Sequence, residues 1–192
     1  AVGIASFTVQ VTGNDSLSST KDFVLTTSQP PTIIGGFSTN HPGTYMVGAD
    51  GAFYGLIITN GGVLTSGAGV VGNSAISSGN NAWVTGAGSF WSNSGTLTIG
   101  ATGAFNQLTI ANSGRVANSI GYIGYNASAS NNSVLVTGTN SIWTNSSTLY
   151  VGYSGQGNSL IVADGGRVAN SNGYVGYNTS ASNNAVMISG AG

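Results

Sequence analysis

Apolar and polar residues alternate along this chain in short bursts. The segments "LTIA" (108–111) and "VLVT" (134–137) put an apolar side chain at every second position. That is the two-residue period of a strand with one buried face. On this phase Leu97, Ile99, Leu108, Ile110 and Val116 point to one interior, and Ile123, Val134, Val136 and Ile142 do the same in the next stretch. The intervening positions then point outward. They include Leu135 with its equivalents Trp83 and Met187, then Ile57 and Ile161 with Thr109 between them, and Met46 and Tyr150. Trp91 and Trp143 follow Phe90 and Ile142, which the same reading turns inward, so both indoles are expected at the surface.

The bursts recur. "RVANSIGYIGYNASASNN" (115–132) returns almost unchanged as "RVANSNGYVGYNTSASNN" (167–184), 52 residues later. A fainter copy precedes both. Thr44, Thr96 and Thr148 open three units, and Gly48, Gly62 and Gly72 find partners at Gly100, Gly114 and Gly124 and at Gly152, Gly166 and Gly176. Asn80, Asn132 and Asn184 also align, as do Trp91 and Trp143, with no gap anywhere. The last unit stops before its Trp position. Each unit is itself double. A β-branched residue followed by Gly recurs at residues 47, 71, 99, 123, 151 and 175, in steps alternating between 24 and 28.

One half-unit therefore reads as one coil of a parallel β-helix (β-solenoid), with about three short strands per turn. A lone coil has no core. Stacking at about 4.8 Å per coil pairs each strand with the next and closes the interior, and about six coils make a rod on the order of 30 Å long. Gly at fixed positions suits corners with positive φ, and Asn at equivalent corners can hydrogen-bond along the stack. A sandwich has no reason to keep an ungapped period, and a propeller needs at least about four blades to close. The expected organisation is an N-terminal segment (1–30), a linker and entry coil (31–43), and solenoid repeats at 44–95, 96–147 and 148–192. In the first segment Phe7, Val9 and Val11, then Phe23 and Leu25, alternate as in a β-hairpin. It resembles the last two strands of a bacterial immunoglobulin-like module, and reads either as a cap or strand-exchange element or as a degenerate coil.

Composition narrows the function. Charged residues make up 4% of the chain, Glu is absent, and the net charge is −1. Helices lack the Lys, Glu and Arg that a solvated face needs, and an apolar content of 40% argues against disorder. Three cations, Lys21, Arg115 and Arg167, make no nucleic-acid surface. No apolar run approaches the ~20 residues of a membrane helix, and without Cys there is neither a disulfide framework nor a thiolate metal site.

The combination of NGG-type turns (Asn60, Gly61, Gly62; Asp164, Gly165, Gly166), VTG turns (Thr85, Gly86; Thr137, Gly138) and S-x-W corners (Ser89, Trp91; Ser141, Trp143) resembles the β-solenoid repeats of autotransporter passengers and PEP-CTERM-associated surface proteins. The resemblance covers about residues 44–192. It implies a parallel β-helix exported to the surface of a bacterium, and it implies no particular biochemical activity.

Carbohydrate-active solenoids need clustered carboxylates. Here Asp15 and Asp22 belong to the N-terminal segment, Asp50 and Asp164 occupy different repeat phases, and His41 has no partner. No catalytic residue, cofactor site or metal site is assigned. Asp164 aligns with Asn60 and Asn112, which points to a turn role. Arg115 and Arg167, two coils apart, form a candidate cationic ladder, against the plainer reading of solvated charges beside a turn. Trp83, Leu135, Met187, Trp91, Trp143, Ile57, Ile161 and Tyr150 form the candidate lateral interface, unless loops such as 125–132 fold over them. The expected function is a non-enzymatic extracellular fibre, sheath or surface layer. It would self-associate laterally, or head-to-tail through open strand edges. The alternative is an adhesin or stalk that binds glycans or cell surfaces.

Overall fold

The computed structural model describes residues 4–12, 18–26 and 29–190, with side chains from residue 29 onward. The chain divides into two units, Ala1–Pro30 and Pro31–Gly192. In the first, β1 (Ile4–Thr12) pairs antiparallel with β2 (Ser18–Thr26), bringing Phe7 opposite Phe23. The pair is a sheet of its own, so this segment does not take the parallel pairing of a solenoid coil. The connecting residues, with Asp15 among them, lie outside the described residues.

The second unit is a parallel β-solenoid of about six turns. The first two coils carry two strands each, β3 (Thr32–Gly35) with β4 (Ser38–Val47), then β5 (Gly55–Thr59) with β6 (Val63–Val71). The next three carry three strands each. These are β7 (Asn81–Thr85), β8 (Phe90–Asn93) and β9 (Leu97–Ile99), then β10 (Gln107–Ala111), β11 (Arg115–Asn118) and β12 (Gly121–Ile123), then β13 (Ser133–Thr137), β14 (Ile142–Asn145) and β15 (Thr148–Val151). A further coil has β16 (Ser159–Ala163), β17 (Arg167–Ala169) and β18 (Asn172–Val175), and β19 (Ala185–Ser189) begins another. Parallel pairing runs coil to coil. One face is the sheet β19-β16-β13-β10-β7-β5-β3. The other two faces share a ten-stranded sheet, because the long β6 pairs with both β8 and β9 and so spans their corner. The solenoid starts at Thr32, so residues 32–43, expected as linker and entry, already form strands. β4 breaks register between His41 and Thr44, at Pro42, which has no N–H to donate.

Like stacks on like. Ile34, Ile58, Val84, Ile110 and Val136 form one interior row and Leu56, Ala82, Leu108, Val134 and Leu160 another. Leu97, Ile99, Leu108, Ile110, Val116, Ile123, Val134 and Val136 are all interior, as alternation requires. One strand phase is corrected. Trp91 and Trp143 are fully buried, while Phe90 and Ile142 turn toward the surface. Pairing explains this, since Trp91 lies beside Leu64 and Trp143 beside Val116, both core positions. Each indole also finds an interior acceptor. Trp91 Nε1 donates to Ser66 Oγ at 3.2 Å and Trp143 Nε1 to Asn118 Oδ1 at 2.7 Å.

The same tryptophans explain why the chain repeats every two coils. Trp91 and Leu97 lean over Gly69 of the coil before, and Trp143 and Leu149 over Gly121. A Cβ at Gly121 would lie 2.9 Å from both Trp143 Cζ2 and Leu149 Cδ1. Bulky coils thus alternate with slim ones that carry Val116 and Gly121 at these positions, which keeps the interior close-packed.

An asparagine ladder runs along one corner from Asn80 to Asn184. Asn80, Asn106 and Asn132 each donate backbone N and Nδ2 to Oδ1 of the Asn 26 residues on, at 2.8–3.1 Å, and Asn158 does so to Asn184. The Val-Gly and Ile-Gly pairs serve this ladder. Gly100 has φ +76°, and a Cβ there would collide with the Asn132 amide. Asp164, Asn60 and Asn112 share a φ of 50–52°, which places Asp164 in the turn role its alignment suggests.

Candidate functional site

Three surfaces of the described residues stand out. Outward positions on the seven-stranded sheet merge the two expected series into one. Ile33, Ile57, Trp83, Thr109, Leu135, Ile161 and Met187 lie side by side in consecutive strands, one row along the solenoid. Ile33, Trp83 and Met187 are exposed at 57%, 37% and 58%, and the others are half-buried by their neighbours. The flanking outward rows hold Asn81, Gln107 and Ser133 on one side and Thr59, Thr85 and Thr137 on the other. These outward positions carry no charge, and the midline row is apolar at every position but Thr109.

Of the eight residues expected at a lateral interface, five belong to this row. Trp91 and Trp143 belong to the core and Tyr150 to a different face. Arg115 and Arg167 are both exposed and share a row, but Ile142 lies between them, so the two cations do not adjoin. Asp50 and His41 are exposed, with His41 packed edge-on to Tyr45.

The last described coil presents a second surface. A hollow of about 560 Å³ lies there between Leu149, Val162, Val168, Val175, Val186 and Ile188. Ile188 is 80% exposed although it continues the row of Val136 and Val162. Asn145 Nδ2, one coil in, is buried without a partner.

The third surface is a double column of tyrosines. Tyr122, Tyr150 and Tyr174 stack with centroids 5.2 Å apart and planes within 13°. Tyr125, Tyr153 and Tyr177 stack beside them at 5.1–5.2 Å. The columns meet edge-to-face at 4.9–5.5 Å. Burial, and then repulsion from neighbouring phenolates, raises the Tyr122 and Tyr150 hydroxyl pKa values above the ordinary range. Of this group sequence reasoning singled out Tyr150 alone. The signal was present as a Tyr on each side of the apolar-Gly pair in "YIGY" (122–125), "YVGY" (150–153) and "YVGY" (174–177).

No family model matches this chain, and neither a curated protein nor a solved structure shows significant similarity to it.

Proposed function

We propose that this chain is a non-enzymatic building block of an extracellular fibre, sheath or surface layer, in which solenoids associate side by side through the seven-stranded sheet and end to end through open coil edges. The observation that carries the reading is the outward row from Ile33 to Met187, apolar at six of its seven positions. An apolar stripe along an uncharged sheet face fits a second copy of itself, since like rows with like spacing can interdigitate. The resemblance to repeats of autotransporter passengers and PEP-CTERM-associated proteins supports a location at the bacterial cell surface.

The adhesin or stalk reading gets less support. A sugar ring packs on an aromatic face, and the faces of the exposed tyrosines are largely taken up by one another.

The test is electron microscopy and sedimentation of the full chain over a wide concentration range. The native protein is expected to form rods that thicken and lengthen with concentration. Leu135→Lys with Ile161→Lys should abolish side-by-side association and leave the circular dichroism and melting of single rods unchanged. A native protein that stays monomeric at high concentration would overturn the proposal.

A further inference from the structure

The tyrosine double column has a chemistry that association does not use. Six of the eight tyrosines of the chain lie in it, in three consecutive coils. Tyr125, Tyr174 and Tyr177 are 39–49% exposed, so a diffusing oxidant reaches them. The strand pairing Tyr122–Tyr150–Tyr174 fixes each phenol beside its neighbour. The remaining pair differs, because Tyr45 packs on Trp91 and His41, and Tyr54 packs against the core.

We infer that this double column is a site of oxidative cross-linking, at which a peroxidase-type one-electron oxidant couples tyrosines of adjacent coils into dityrosine. The step balances. Two phenols each lose one electron and the phenolic proton, giving two phenoxyl radicals. An ortho carbon of one ring bonds to an ortho carbon of the other, and each ring returns its displaced ortho hydrogen to its own oxygen. Two electrons and two protons leave the protein, and one hydrogen peroxide takes them up to become two waters. Coupling needs two radicals within reach before either is quenched, and parallel rings 5.2 Å apart meet that need with a small side-chain rotation. Both partners sit in one chain, so the reaction does not depend on self-association. Its product staples coils otherwise held by hydrogen bonds and packing.

The test treats the dilute full chain with hydrogen peroxide and a haem peroxidase, folded and in denaturant. The folded chain is expected to gain dityrosine fluorescence about tenfold faster than the unfolded chain. It should lose two hydrogens per bond while staying monomeric, and digestion should yield peptides joining 121–126 to 149–154 or 149–154 to 173–178. Replacing all six column tyrosines with Phe should abolish the signal, and Tyr45→Phe with Tyr54→Phe should not. Equal rates in the folded and unfolded chain, links only between chains, or links through Tyr45 or Tyr54 would each overturn the assignment. The folded-against-unfolded comparison uses the native sequence, so it holds even if the six-fold variant fails to fold.

Discussion

At the scale of single residues, buried amides define this molecule more than its apolar side chains do. Asn132 Oδ1 accepts from Asn106 N at 2.8 Å and from Asn106 Nδ2 at 3.0 Å, and both residues are fully buried. Asn132→Ala therefore takes the acceptor from two buried donors. Each orphan costs about 1–3 kcal/mol, so denaturant titration should show a loss of about 2–6 kcal/mol. Asn178→Ala is the control. Its amide donates to Ser154 Oγ in the open, and its loss should stay within about 0.5 kcal/mol. In a stack where each coil touches only its neighbours, a broken rung should also broaden the transition. A sharp transition at native stability would mean the ladder is incidental.

At the scale of strands, the legibility of the sequence depended on how many apolar residues fell in phase. Leu108 and Ile110 leave one solution, and the structure has it. "IWTN" (142–145) offers two adjacent apolar residues and no second one to fix the phase, so its face is decided by pairing with Val116. The 28- and 24-residue steps of the apolar-Gly pairs already carry Tyr122, Tyr150 and Tyr174 in register, although the coil itself is 26 long; what spacing does not display is that their rings stack face to face. Corner lengths differ between alternate coils and only the double coil is constant. The reason for that alternation, a bulky coil nesting on a slim one, is a packing fact that no periodicity displays. It predicts a coupling. Gly121→Ala crowds Asn145 Oδ1 first, then Trp143 and Leu149, and should cost about 1–3 kcal/mol by overpacking. In a Trp143→Phe background the same change should cost about 1 kcal/mol less, because one of the three groups that crowd it is gone. Additive losses in a double-mutant cycle would show that the indole does not need the glycine.

At the scale of the whole solenoid, nesting makes two coils the unit of the fold, and deletions can measure that unit directly. Removing residues 107–132 joins Asn106 to Ser133 and takes out 26 residues. The sheet rows and the asparagine ladder keep their 26-residue step, so pairing alone would permit it. It places the coil of Trp143 and Leu149 directly on that of Trp91 and Leu97, where no glycine receives the indole. Removing residues 107–158 joins Asn106 to Ser159 and takes out 52. It sets the slim coil of Val168 and Gly173 on the coil of Trp91 and Leu97, the order that Val116 and Gly121 already follow. The longer deletion should therefore be tolerated better. It is expected to unfold cooperatively with a denaturant slope lower by roughly a third, since slope scales with the surface exposed. The shorter one should melt far earlier or fail to fold, although it discards half as much chain. Circular dichroism melts of the two proteins decide the matter, and if the 26-residue deletion is the more stable, the core does not alternate.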